Sequence, residues 1–163
     1  MTLRIAPLVL IAALGLAGCS GKMANLQGPG GGYGAAGAAG PGSVAYFQQS
    51  VGDRVLFSVD QSTLNAAARA TLDQQARWLI QNTQYRAVIE GHADEQGTRE
   101  YNLALGARRA SAVKDFLVNA GVAPARLETV SYGKERPLEI CSEEACYAQN
   151  RRAVTVLAVG AGA

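Results

Sequence analysis

Apolar and polar positions alternate with two different periods along the C-terminal three quarters of the chain. A period of two predicts strands, and apolar residues at i, i+3 and i+4 predict helices. In order, the pattern predicts strand, helix, strand, helix, strand, helical turn and strand, over residues 54–59, 66–81, 86–91, 98–120, 127–132, 142–149 and 152–159. Asn65 is a predicted cap for the first long helix, and Gly121 is the predicted stop of the second.

This order of elements predicts the fold class. Strands separated by helices need crossover connections, which produce parallel pairing. No long helix precedes the final strand, so this strand joins the same sheet and only two long helices remain to cover it. We therefore expect an α/β (α+β) two-layer sandwich of βαβαββ order, with a mixed four-stranded sheet and two main helices on one face.

Two polar residues interrupt the apolar face of the second long helix. At about 100° per residue from Leu105, Arg109 and Asn102 fall in the middle of that face, whereas Arg108 points towards solvent. A guanidinium in that position needs an anionic partner, and Asp94 at the end of the preceding strand is a candidate. Two interpretations stay open: a structural Asp94–Arg109 pair, or two residues that face a ligand carrying an amine and a carboxylate.

Asp60 and Asp94 each follow a predicted strand and precede a helix. In open sheets with crossover helices, ligands bind at this carboxyl edge, where free N–H groups at the helix starts favour anionic parts. The sequence therefore groups Asp60, Asp94, Asn102 and Arg109 at one edge of the sheet.

The N-terminal residues carry the features of an exported protein. Arg4 precedes an apolar run over residues 5–14, which is too short to span a bilayer as a stable helix. The sequence Leu-Ala-Gly-Cys that ends at Cys19 resembles the bacterial lipoprotein signal, in which cleavage before the cysteine is followed by acylation. The alternative is an ordinary signal peptide with an incidental cysteine. We assign residues 1–18 to the signal peptide and Cys19 to the lipid anchor.

Residues 19–42 form a predicted tether. Between residues 28 and 42, eight of fifteen residues are Gly and none is charged, so the segment cannot bury enough surface to fold. The chain from Cys19 to the start of the domain would reach about 27 Å as a coil and about 80 Å when extended. Residues 43–160 then form the predicted domain.

Composition excludes several functions. The net charge is +2, and no basic run with interleaved aromatics indicates nucleic-acid binding. One His and three Cys leave little material for a metal site, and we expect no cofactor. An enzyme would have to use His92, Asp94 and Glu95, but no nucleophile motif accompanies them. We expect His92 to be a hydrogen-bonded residue at a strand end.

Four segments match one family. The segments GHADEQGTREYNLALGARRA (residues 91–110), SYGKERP (131–137), AQNRRAVTVL (148–157) and VLFSVDQSTL (55–64) resemble the OmpA-like peptidoglycan-binding domains, specifically those of the peptidoglycan-associated lipoproteins of the Tol–Pal system. The resemblance covers roughly residues 44–158.

The resemblance implies a ligand and a role for each site residue. The ligand would be meso-diaminopimelate of the peptidoglycan stem peptide, whose side chain ends in an ammonium beside a carboxylate. Asp94 would bind the ammonium and Arg109 the carboxylate. The remaining residues would add hydrogen bonds, charge or shape to the pocket: Asp60, Asn102, Leu105 and Arg152.

The resemblance also implies location and partners. A lipoprotein with Ser20 after the cysteine would be held in the outer membrane of a Gram-negative cell, with its domain in the periplasm. It would join that membrane to the wall without catalysis, and would contact TolB and other Tol proteins during cell division. The alternatives are a protein–protein adaptor with little wall binding, and a wall hydrolase.

Two features depart from the family pattern. Ser58 and Val59 are less acidic and aromatic than the usual segment before Asp60, which leaves the role of Asp60 less defined. Cys141 and Cys146 are additional, and in an oxidising periplasm we expect them to form a disulfide. A redox or metal role for the pair is the alternative.

Overall fold

The structure, a computed structural model, describes residues 40–159. The predicted signal peptide, Cys19, the tether up to residue 39 and residues 160–163 lie outside this range. In chain order the helices and strands are α1 (Val44–Tyr46), which continues into a π-helical turn (Phe47–Gly52), then β1 (Arg54–Leu56), α2 (Ala66–Gln81), β2 (Tyr85–His92), α3 (Arg99–Asn119), a 3-10 turn (Pro124–Arg126), β3 (Leu127–Gly133), α4 (Glu144–Asn150) and β4 (Arg152–Val159).

The four strands form one mixed sheet in the order β1-β4-β2-β3. β2 pairs with β3 in parallel, and β4 lies between β1 and β2, antiparallel to both. The parallel pair follows from the α3 crossover, whereas β4 enters as an antiparallel strand in the middle of the sheet. This arrangement confirms the predicted mixed four-stranded sheet and fold class.

The two long helices begin and end at the residues that the sequence indicates. Asn65 Oδ1 accepts a hydrogen bond from Ala68 N at 2.8 Å, and Thr98 Oγ1 accepts one from Tyr101 N at 3.2 Å. Each side chain satisfies an N–H group that has no partner inside the helix. Gly121 follows α3 with φ at +105°, a conformation that glycine adopts without strain. These local contacts determine where both long helices begin and where α3 ends.

β1 ends earlier than predicted. The expectation of a strand over residues 54–59 is wrong at its C-terminal end, because the strand stops at Leu56 and Val59 is 52% exposed. Asp60 lies in the left-handed region with φ at +57°, so the backbone turns there and cannot continue an extended strand. Residues 58–61 thus form a loop that contacts the N-terminal half of α3 through Tyr101 and Arg109.

The core lies between the helices and one face of the sheet, and α3 approaches the sheet closely. Leu72, Leu79, Ile89 and Leu117 are fully buried there. A Cβ atom at Gly91 of β2 would lie 1.8 Å from the carbonyl oxygen of Gly106 of α3. Only glycine at this crossing allows the two backbones to meet, which brings the first turns of α3 against the end of β2.

The chain enters the domain at the start of β2. Trp78 Nε1 donates to Pro41 O at 2.7 Å, and the Tyr85 hydroxyl donates to Gly42 O at 3.1 Å. Tyr85 is the first residue of β2 and His92 the last. At about 3.3 Å per residue, these two ends are separated by roughly 23 Å. Within residues 40–159, no helix is both long and apolar enough to cross a membrane.

Candidate ligand-binding site

A cavity of about 260 Å³ opens where β2 ends and α3 begins. It contains three of the four residues that the sequence groups at this edge, together with five others. Its lining is Val59, Asp60, Asp94, Gln96, Gly97, Tyr101, Asn102 and Leu105. Carboxylate and amide groups meet a small apolar surface here, which is typical of a site for a small polar ligand.

Asp94 lies on the wall of this cavity, with only 6% of its surface exposed. Its Oδ1 accepts a hydrogen bond from Gln96 N at 3.3 Å, and its Oδ2 accepts one from Arg151 Nη1 at 3.1 Å. A carboxylate oxygen can accept two hydrogen bonds. The carboxylate of Asp94 is therefore oriented by the protein and keeps acceptor capacity for a donor in the cavity.

Arg151, and not Arg109, is the ionic partner of Asp94. Its guanidinium donates to Asp94, to both carboxylate oxygens of Glu144 and, at 3.3 Å, to Phe57 O. Burial disfavours the charged form of Arg151, but the hydrogen bonds that it donates to Glu144 and Asp94 outweigh that effect and raise its pKa. Nothing in the sequence pattern singles out Arg151, because it adjoins Arg152 at a turn where periodicity gives no direction.

Arg109 is fully buried beneath the cavity and does not line it. Its guanidinium donates to three backbone oxygens: Gln61 O at 2.8 Å, His92 O at 2.8 Å and Ser58 O at 3.1 Å. The helical pattern placed it correctly on the buried face, but the structural Asp94–Arg109 pair does not form: Arg109 binds these carbonyl groups, and Asp94 pairs with Arg151. Arg109 ties the loop after β1 to the end of β2.

The charge of Arg109 still acts on the site. Burial lowers its pKa to about 10, while the nearby carboxylates of Asp94 and Asp60 oppose that shift. The side chain therefore stays charged at neutral pH. It places a positive charge below an otherwise acidic cavity.

Asn102 lines the cavity and has one unused hydrogen-bond acceptor. Its Nδ2 donates to Gln96 O at 2.8 Å, which fixes the orientation of the amide. Its Oδ1 is buried and has no hydrogen-bond partner within the described residues. Leaving a buried acceptor unpaired costs about 1–3 kcal/mol, so a ligand donor at this position would recover that free energy.

Asp60 and Tyr101 form the outer side of the cavity. The Tyr101 hydroxyl donates to the Asp60 carboxylate, and both residues are exposed. Left-handed backbone conformations such as that of Asp60 are uncommon for residues with a Cβ, although Asp tolerates them better than most. The sequence predicted Asp60 but missed Tyr101, whose only signal is its position one residue before Asn102, in the first turn of the helix.

Arg152 lies outside the cavity, unlike the expectation that it would line it. Its guanidinium donates to Arg136 O at 3.2 Å and to Asn150 O at 3.4 Å. Side chains alternate along β4, and the next residue, Ala153, lies in the core. Arg152 therefore points to the face of the sheet opposite the helices.

His92 is buried at the end of β2 and is 2% exposed. The expectation that its side chain is hydrogen-bonded is wrong, since neither ring nitrogen has a hydrogen-bond partner in the described part of the chain. Burial, reinforced by the charges of Arg152 and Arg136, lowers its pKa to about 4. The neutral imidazole packs near the ring of Tyr132, with centroids 5.6 Å apart, and does not reach the cavity.

Cys141 and Cys146 are joined by a disulfide, with Cα atoms 5.9 Å apart. The adjoining loop is held by Asn150, whose Oδ1 accepts hydrogen bonds from Leu138 N at 2.7 Å and Glu139 N at 3.0 Å. No group of three or more His, Cys, Asp or Glu side chains that could hold a metal ion occurs in residues 40–159.

The fold and the motif around this cavity are those of a known family. Residues 56–151 match the model of the OmpA family, and this segment contains β2, α3, β3, α4 and every residue that lines the cavity. The match covers more than half of the chain. The chain belongs to the OmpA family.

Relatives within the family are similar over nearly the whole chain. A peptidoglycan-associated lipoprotein from Mesorhizobium japonicum is 55% identical over 95% of this chain and 92% of its own length. One from Rhizobium meliloti is 54% identical over 95% of this chain and 88% of its own length. Similarity at this level extends beyond the folded domain into the N-terminal residues.

Solved structures agree with the fold. The crystal structure of the peptidoglycan-associated lipoprotein from Burkholderia pseudomallei is 42% identical, covers 68% of this chain and 96% of its own, and superposes with a TM-score of 0.66. The C-terminal domain of Helicobacter pylori MotB is 22% identical over 67% of this chain and 86% of its own, with a TM-score of 0.61, and shares the fold.

Proposed function

We propose that this domain binds peptidoglycan without covalent bonds or catalysis, and that its ligand is the free amino acid centre of meso-diaminopimelate in the stem peptide. The observation that carries the proposal is the group of acceptors in the cavity. Asp94, Asp60 and Asn102 all line one small space, and the buried Oδ1 of Asn102 has no hydrogen-bond partner within the described residues. An ammonium group has three donors and no acceptor, so it matches this set.

The carboxylate of the same ligand would lie towards the start of α3. Gly97 lines the cavity just before that helix, whose first N–H groups and dipole favour a negative group. Arg109 contributes positive charge from below the floor, and a direct contact would use the N–H groups that the three backbone oxygens leave free. Leu105 provides the apolar wall. We propose no contact for Arg152.

The names of the relatives support peptidoglycan as the ligand. Proteins that are more than half identical over most of this chain are called peptidoglycan-associated lipoproteins. We propose that Cys19 carries the lipid anchor in the outer membrane of a Gram-negative cell, and that the domain lies in the periplasm. The position of the cavity fits this role, since it lies at the opposite end of β2 from Pro41 and Gly42, where the chain enters the domain.

In this role the protein holds the outer membrane to the wall within a Tol–Pal system, with TolB and other Tol proteins as partners during cell division. The cavity and the exposed residues beside it would bind the peptidoglycan of the wall. The Tol contacts rest on the family membership alone.

Co-sedimentation with purified peptidoglycan sacculi tests the ligand. Asp94→Asn should reduce sedimentation strongly, because it removes the charge that faces the ammonium, and such losses typically cost about 2–5 kcal/mol. Free meso-diaminopimelate should displace the wild-type protein. Asp73→Asn, at an exposed position on α2, is the matched control and should sediment normally.

Three results would contradict the proposal in different ways. If Asp94→Asn sediments normally, the cavity does not take part in binding to the wall. Absence of sedimentation by the wild-type protein, with retained binding to Tol proteins, would favour the adaptor. Release of soluble fragments from the sacculi would indicate a hydrolase.

A further inference from the structure

The loop closed by the Cys141–Cys146 disulfide leads directly to the site. The cross-link joins residues five positions apart, and α4 begins between them at Glu144. The amide groups of Cys146 and Tyr147 both donate to Glu143 O at 3.0 Å, which forms the first turn of α4. The disulfide therefore holds the segment that presents the Glu144 side chain.

Glu144 reaches Asp94 through one residue. Its two carboxylate oxygens accept hydrogen bonds from Nη1 and Nη2 of Arg151, and Nη1 also donates to Asp94 Oδ2. The side chains of Arg151 and Asp94 are 5% and 8% exposed, whereas that of Glu144 is 65% exposed. Glu144 is thus the solvent-side end of a three-residue chain whose inner end lies on the cavity wall.

The charges of this chain bear on an ammonium ligand. Asp94 and Arg151 alone form a pair with no net charge, which attracts a cation weakly. Glu144 shares the guanidinium of Arg151, so the three residues together carry a net charge of −1. A guanidinium that is partly neutralised by Glu144 also competes less with the ligand for the carboxylate of Asp94.

We propose that Glu144 is a positioning residue for ligand binding, and that the Cys141–Cys146 disulfide holds it in place. Through Arg151, Glu144 keeps the Asp94 carboxylate oriented. It also gives the three residues together the net negative charge that attracts the ammonium of the ligand. This inference rests on the proposed function and adds to it a part of the chain that does not line the cavity.

The disulfide matters because α4 is short. Its seven residues are fewer than an isolated helix needs to be stable in water, so the helix depends on its surroundings. Without the cross-link, residues 141–146 gain conformational freedom and Glu144 spends less time at Arg151. Breaking the disulfide should therefore weaken ligand binding in the same way as removing the Glu144 charge.

Calorimetric titration of the mature lipidated protein in detergent with meso-diaminopimelate tests this inference. Glu144→Gln should weaken binding by about two- to fivefold at low salt, the range of a mostly exposed ion pair. The loss should shrink in about 1 M salt, where the Debye length is about 3 Å, whereas a loss from a displaced backbone would persist. Glu143→Gln is the matched control, since its side chain makes no capping hydrogen bond.

A double-mutant cycle tests the link to the disulfide. Cys141→Ser with Cys146→Ser should weaken binding to a similar extent, and adding Glu144→Gln should cause little further loss because both changes remove one interaction. Equal affinities of Glu144→Gln and Glu143→Gln would overturn the inference, as would fully additive losses. If Asp94→Asn binds as tightly as the wild type, the proposed function itself fails.

Discussion

At the residue scale, the charged groups near the cavity have two separate tasks. Arg109 holds backbone carbonyl groups from the loop after β1 and from the end of β2, and it is fully buried. Asp94 faces the cavity and is held by Arg151. An arginine with this many backbone contacts contributes to the fold as well as to the potential in the site.

Arg109→Ala should destabilise the domain by about 3 kcal/mol, because the buried carbonyl group of His92 and the partly buried ones of Ser58 and Gln61 lose their donor, and a buried group left unpaired costs about 1–3 kcal/mol. Urea denaturation with an unchanged m-value would measure this as a lower midpoint. The adjacent exposed Arg108 provides a matched control, and Arg108→Ala should stay within about 0.5 kcal/mol of the wild type. Equal effects of the two substitutions would contradict the assignment of Arg109 to the buried face.

His92 predicts a pH dependence of stability. Its pKa is about 4 in the folded protein and about 6.5 when unfolded, so the unfolded chain binds the extra proton between these values. Stability is therefore complete above about pH 6.5 and falls as the pH decreases towards 4, by roughly 2–3 kcal/mol from this residue.

The free energy of unfolding is measured for the wild type and for His92→Leu from pH 4 to pH 7, and the difference between them is taken at each pH. The carboxylates titrate in both proteins, so their contribution cancels in this difference. Leucine has a similar volume and removes two buried nitrogens that lack partners, so the variant should equal or exceed the wild type at pH 4–5. A difference that does not change with pH would show that His92 has the same pKa in the folded and the unfolded chain.

At the element scale, the sequence predicts the long helices better than the loops between strands. α2 has the predicted bounds, and the caps Asn65 and Thr98 act at the ends of their helices. These signals are local, since a cap and a periodic face need only neighbouring residues. The end of β1 depends instead on the bend at Asp60 and on contacts with α3 that are about fifty residues away.

The same reason explains which site residues could be predicted. The helical period identified Asn102, Leu105 and Arg109 as inward-facing, and the strand ends identified Asp60 and Asp94. Arg151 lies between α4 and β4, where neither period applies, and only the folded structure shows that it reaches Asp94.

At the scale of the whole molecule, the site and the entry of the chain lie at opposite ends of the sheet. Pro41 and Gly42 are bound near the start of β2, and the cavity lies beyond its end. A domain held from one end presents the other end away from its point of attachment. Anchoring and ligand binding should therefore be separable properties of the chain.

Cys19→Ala tests that separation. The variant should leave the outer-membrane fraction, because several acyl chains provide a firm anchor and none can be added without the cysteine. Its purified form should still sediment with sacculi as the wild type does, since the cavity residues are unchanged. Cys141→Ser with Cys146→Ser is the control for replacing cysteines elsewhere in the chain, and this variant should remain in the membrane fraction. Retention of Cys19→Ala in the outer membrane would mean that the chain is held there by something other than lipid at Cys19, and that anchoring and wall binding are not independent.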